Sequence, residues 1–141
     1  MAEIDALLAA LVAATRASRA TLRQDHPGPY AFPVTHEALA PDAPSLREEH
    51  TVDLRTQPVV QELLRRRQVV QDDCRAASED PAFQRMLEAY GGLAAQIVTP
   101  IVRHGRVEAI LSLHQLGAPR RWTEEEIAAA TRTADRIGEL L

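Results

Sequence analysis

Apolar residues in the opening segment AEIDALLAALVAATRAS recur at helical spacing, with Ile4, Leu7, Leu8, Leu11 and Val12 three and four positions apart. An amphipathic helix is expected there. ATLRQD and YAFPVTHEAL read as short strands. In the second, Phe32, Val34 and His36 are expected on one face by alternation, and Pro33 moves the segment towards a sheet edge. Residues 40 to 56 are rich in Pro, Asp, Ser and Glu without periodicity, so a long loop with a helical turn is expected; it is either a lid or a solvated connection.

Downstream, TQPVVQELLRRR has Thr56 near Pro58, an arrangement suited to a helix entrance, with Val60, Leu63 and Leu64 on its apolar side. QVVQDDC reads as a strand. In EDPAFQRMLEAYGG, Asp80 is an N-cap, Pro81 the first helical residue and Gly91 the stop, while Phe83, Met86, Leu87 and Tyr90 form the buried stripe. AAQIVTPIVRHG and RVEAILSLHQL are long strands joined into a hairpin at His104 and Gly105. The last helix is marked by a capping box, Thr123 with Glu126, and by a hydrophobic staple, Trp122 with Ile127. Ile127, Ala130, Ala134, Ile137 and Leu141 then form a narrow seam suited to a partner helix, either the chain's own first helix or that of a second subunit. Hairpin strands with segregated helices predict an α+β domain, an antiparallel sheet with helices over both faces.

The length, 141 residues, and 45% hydrophobic content fit one domain with one ordinary core. No run suits a bilayer span and no signal sequence is evident, so a soluble, cytoplasmic protein is expected. The net charge of -4, with signs interleaved, gives no footprint for nucleic acid. The run Arg65, Arg66, Arg67 reads as a solvated helix end. Lysine is absent, which excludes a lysine Schiff base, a P-loop lysine and a lysine general base. A single cysteine, Cys74, excludes an intrachain disulfide and a cysteine-rich zinc site.

From Gln68 to Leu141, the words RQVVQDDC, IVTPIVRHGRVEAILSLHQ and PRRWTEEEIAAATRTADRIGELL together resemble a GAF domain, and the LHQ…PRRWTEEE run is similar to GAF domains of bacterial light and ligand sensors, including the phytochrome-like group. The resemblance implies one GAF-like domain over 1–141. Its N-terminal helix would span 1–18, its sheet and pocket region 20–116 and its C-terminal helix 123–141. The terminal helices would lie on one face of the sheet and often form a dimer. Shorter helices and loops would roof a small-molecule pocket on the other face.

Under that resemblance, the strand face carrying Gln96 and Val98 and the face carrying Ser112 and His114 turn towards the pocket, with Tyr30, Phe32, His36, Arg47, Arg55, Thr56, Asp73 and Cys74 as further candidate ligand contacts. His114 is expected in the cavity, against the plainer reading of a core histidine bonded to backbone. Arg47 or Arg55 would suit a carboxylate, or would only form surface ion pairs with Glu48, Glu49 or Asp53. The setting of Cys74 does not match the chromophore-attachment motifs of bilin-binding members, the cyclic-nucleotide signature is missing, and one cysteine cannot close the cycle of the methionine sulfoxide reductases that share the fold.

The ligand and any cofactor are therefore unknown. The leading expectation is a stand-alone small-molecule-binding sensory or regulatory module, acting as a homodimer through its first and last helices and passing its signal to a possible protein partner. Two enzymatic alternatives are a thiol mechanism at Cys74 with His36 or His114, and a metal centre drawn from His36, Glu37, His50, Asp53, Asp72 and His114. The third class is a structural partner-binding subunit with a vestigial pocket.

Overall fold

The computed structural model describes residues 2–27 and 31–141. Tyr30 lies outside the described residues. The elements are α1 (Ala2–Thr15), β1 (Arg19–Gln24), β2 (Val34–Leu39), α2 (Pro58–Leu64), β3 (Val69–Gln71), α3 (Cys74–Ala77), α4 (Pro81–Ala89), β4 (Leu93–Arg103), β5 (Arg106–Leu116) and α5 (Glu124–Leu140), with a short 3₁₀ turn at Leu54–Thr56. The strands form one antiparallel sheet in the order β2-β1-β5-β4-β3. The architecture is α+β, as the pattern predicts. No helix among the described residues is long and apolar enough to cross a membrane.

The sheet is covered on both faces. On one, Ile4, Leu8 and Leu11 of α1 and Ala130, Ala134 and Ile137 of α5 pack against Ala20, Leu22, Ile97, Leu111 and Leu113. The α5 seam is thus largely absorbed by the chain's own sheet and α1. On the other face, Val59 and Leu63 of α2 and Phe83, Met86 and Leu87 of α4 meet Leu93, Val98 and Ile110. Alternation along β4 and β5 sorts these side chains, and Ser112 and His114 fall on the α2/α4 side with Ile110.

Several local details depart from the sequence reading. The cap of α2 is Gln57, not Thr56, and Val59 takes the buried position expected of Leu64, which is 49% exposed. After β3, Cys74 opens the helical turn α3 and does not end a strand. Phe32 has φ +53, so the extended run begins only at Val34. Within β2 the register slips: Arg23 pairs with Val34 but Leu22 with His36, leaving Thr35 as an extra residue. That bulge puts Val34 and His36 on opposite faces. His36 consequently meets Asp5 of α1 at 3.0 Å.

The start of α5 is pinned. Thr123 Oγ1 accepts from Glu126 N at 3.1 Å and Glu126 Oε1 accepts from Thr123 N at 2.9 Å, completing the expected capping box. Trp122 donates its backbone N–H to Asp72 Oδ1 and its indole N–H to Gln71 O, which fastens the start of α5 to the β3 edge. Arg120 stacks 4.3 Å from the Trp122 ring centroid and bonds Thr15 O and Glu126.

Candidate functional site

β1 carries Arg19, Thr21 and Arg23 on alternate positions of the face towards α2 and α4, with Ala20 and Leu22 turned to the opposite core. Arg19 is fully buried, and every acceptor bonded to it is neutral: His114 Nδ1 at 3.0 Å, Pro44 O at 2.9 Å and Tyr90 O at 2.8 Å. Burial pulls its guanidinium pKa down to about 10, so it remains a cation at neutral pH.

That bond fixes the chemistry of His114. A guanidinium only donates, so Nδ1 must be the accepting nitrogen and the proton of the neutral ring sits on Nε2. Burial, and then the charges of Arg19 and Arg23, hold the imidazole well below its ordinary 6.5, so it stays neutral. Its ring stacks on Tyr90 with centroids 6.0 Å apart. What His114 offers an occupant of the adjoining space is therefore a donor, Nε2–H.

That space is a narrow inner cavity of about 30 Å³ between the sheet and the α2/α4 roof, with Gln57, Tyr90, Gln96, Val98, Ser112 and His114 in its wall. It has room for about one water molecule. Gln57 is 3% exposed, its Nε2 donating to Ala82 O at 3.4 Å while Oε1 is buried with no partner. Thr21 Oγ1, in the neighbouring row of β1, is also buried and unpaired. Each orphan carries a desolvation cost of about 1–3 kcal/mol, and for Gln57 Oε1 a donor in the cavity would relieve it.

Arg23 and Leu54 separate this cavity from an outer pocket of about 200 Å³, bounded by the β2 entrance and the 46–55 stretch of the long loop. The loop is fastened to the sheet: Glu37 accepts from Ser45 Oγ at 2.5 Å and from Leu46 N at 2.9 Å, and Leu46 is buried. Its connection thus forms a pocket wall.

The structure brings Gln96, Val98, Ser112 and His114 together on the inner cavity, and Arg47 and Arg55 on the outer pocket. Phe32 belongs to the roof core and gives its carbonyl to Arg23. His36 lies on the α1 side, carried there by the bulge. Thr56 is exposed, its hydroxyl donating to Asp53 O, and Asp73 is exposed at the start of α3. Arg23, Gln57 and Tyr90 line the cavity, and Arg19 fixes His114 and Tyr90 in its wall, without having been singled out as site residues. For the two arginines the signal was the Arg-Ala-Thr-Leu-Arg alternation of β1, which reads as a half-solvated strand until both sheet faces are known to be covered.

A thioether-linked bilin does not fit these residues. Cys74 is fully buried among the roof side chains and lines neither space, and burial, with Asp73 adding to it, pushes its thiol up to about 12. The inner cavity is also far below the roughly 300–1,000 Å³ of drug-sized ligand sites. The high thiol pKa removes the thiolate that a Cys74 nucleophile needs. The candidate metal ligands are dispersed, His36 on Asp5, Asp72 on Trp122 N and His114 on Arg19, and no metal-binding group of three occurs among the described residues.

The GAF domain family model matches residues 2–141. Similar solved structures include the photoproduct state of GAF3 from Slr1393 of Synechocystis sp. PCC6803, at 16% identity and TM-score 0.81 over 97% of this chain and 89% of that one. The blue-light absorbing form of the PixJ GAF domain of Thermosynechococcus elongatus is similar at 23% identity and TM-score 0.77, over 99% and 84%. A phycoerythrobilin-bound GAF domain from a cyanobacterial phytochrome gives 19% identity and TM-score 0.78, over 96% and 81%. At such identities these likenesses carry the fold alone. No curated protein matches the chain. Matched by the family model along all but its first residue, the chain belongs to the GAF domain family.

Proposed function

We propose that the chain is a small-molecule-binding sensory or regulatory module. The observation that carries this reading is the unpaired Gln57 Oε1, buried in a cavity whose wall also holds the fixed Nε2–H donor of His114. An orphan acceptor beside a fixed donor suits a polar group that reciprocates both; with room for about one water molecule, the cavity would admit only the end of a guest seated in the adjoining outer pocket. The bilin-bound relatives place a small molecule in a domain of this fold. Here the guest is smaller and is held without a covalent bond.

The same reading includes a homodimer through α1. From Ala6 to Thr15 the helix carries no charge, and its outward residues Ala6, Ala9, Ala10, Ala13 and Ala14 are exposed in the single chain. A helix apolar on all sides is usually covered on all sides. The α5 seam contributes little, because Ala130, Ala134 and Ile137 are already buried within the chain.

A second reading, a partner-binding subunit with a collapsed pocket, is favoured by the small size of the inner cavity. Native mass spectrometry of wild type and Gln57→Leu separates the two. A ligand site predicts added mass on the wild type that is diminished in the variant. A collapsed pocket predicts no added mass on either, with Gln57→Leu simply more heat-stable because a buried orphan acceptor is gone.

A further inference from the structure

Arg23 is a wall of both spaces, the inner cavity and the outer pocket. It is 7% exposed, and its bonded acceptors are neutral: Phe32 O at 3.0 Å and Tyr90 Oη at 3.1 Å, with the guanidinium 5.6 Å from the Tyr90 ring centroid. Four residues back, on the same strand face, Arg19 is fully buried and likewise bonded only to neutral groups. Two buried cations on one strand face, with no hydrogen-bonded anion and only Glu37 acting on Arg19 from a distance, are costly in a region of low dielectric.

The nearby carboxylates are committed elsewhere. Glu49 Oε1 accepts from Thr51 N, Thr51 Oγ1 and Val52 N. Asp53 Oδ1 accepts from Arg55 N and lies 3.8 Å from Arg55 Nε. Glu37 holds Ser45 and Leu46, with Arg47 Nε at 3.6 Å. Glu49 and Asp53 themselves line the outer pocket, together with an apolar wall of Val34, Leu46, Val52 and Leu54 and with Arg47 and Arg55.

From this we infer that the outer pocket binds a small organic carboxylate, its anionic group against Arg23 and its hydrocarbon part against Val34, Leu46 and Val52. Charge-assisted N–H donors of a guanidinium suit such a group, and a volume of about 200 Å³ limits the guest to a small molecule. The inference rests on the reading of the chain as a small-molecule-binding module and names the chemical class.

Isothermal titration with butyrate and benzoate, each beside its isosteric amide, tests it. The carboxylates are expected to bind at least about tenfold more tightly than butyramide and benzamide. Arg23→Gln should lose that preference. Because Arg23 also holds Phe32 and Tyr90, a second variant is needed: Val52→Trp, on the half-buried loop wall, should block carboxylate binding while leaving the circular dichroism spectrum and melting temperature near wild type. Amides that bind as tightly as the acids would overturn the anionic class and leave the module reading standing. Failure of every probe to titrate would overturn the carboxylate site, while added mass on the purified wild-type protein still decides the wider reading.

Discussion

The side-chain Nε–H of Arg19 is bonded to Nδ1 of His114 across 3.0 Å, between residues that are register partners on β1 and β5. The pair locks one tautomer and ties β1 to the central strand β5 on the cavity side. His114→Phe would keep the ring against Tyr90 but leave a buried guanidinium N–H without its acceptor. The expected loss is about 1–3 kcal/mol in urea unfolding. Arg19→Met combined with His114→Phe should cost less than the sum of the single changes, because the second substitution removes the group the first one orphaned. Additive losses would show that the pair is not energetically coupled.

The same histidine makes stability depend on pH in a defined direction. In the folded chain its pKa is depressed well below 6.5, whereas the unfolded imidazole returns to its ordinary range. As pH falls through about 6.5, the unfolded state takes up a proton that the folded state refuses. The stabilisation is thus complete above that value and is lost on acidification. Urea midpoints measured between about pH 7 and about pH 5 should decline in the wild type and decline less in His114→Gln.

Cys74 should be inert in the native protein. Complete burial and a thiol pKa near 12 leave almost no thiolate at neutral pH. Labelling by a thiol-reactive disulfide reagent should proceed only at the rate of opening, and reach one equivalent at once in denaturant. Rapid labelling of the folded chain would reopen a nucleophilic role.

The outward alanine face of α1 gives the dimer its test. Ala13→Glu places a charge on an exposed position of that face and touches none of the buried residues Ile4, Leu8 or Leu11. Analytical ultracentrifugation should show a dimer for wild type and a monomer of unchanged helicity for the variant. A monomeric wild type at tens of micromolar would remove the dimer from the proposal.

Thr123→Ala removes one half of the capping box at the start of α5, leaving Glu126 N without its acceptor. The expected cost is about 1 kcal/mol. Thermal unfolding read by far-ultraviolet circular dichroism would show it as a drop of several degrees.

What could be read from the chain follows from how local each signal is. The capping box and the β4/β5 hairpin are written within a few residues of one another; alternation paired Gln96 with Val98 and Ser112 with His114, and the GAF resemblance turned both faces towards the pocket. The bulge at Thr35 could not be read, because an extra residue exists only relative to the partner strand, and it moved His36 to α1. Arg19 and Arg23 were missed for a related reason. A strand alternating arginine with alanine and leucine signals a wet face, and only the roof made by α2 and α4 buries it. Cys74 was expected to end a strand but opens a helical turn, and its burial depends on Phe83 and its neighbours in the roof, which lie outside its own segment.

The slip at Thr35 has a consequence for what the sheet can recruit. A rim strand with a straight, unbroken row of amides is a template on which another chain can lengthen the ladder. Here one rim, β2, is interrupted by the extra residue, and the other, β3, is three residues long. Both borders are poor docks for an incoming strand. The protein is thereby protected against open-ended stacking into fibres, and partners are steered towards its helices and loops.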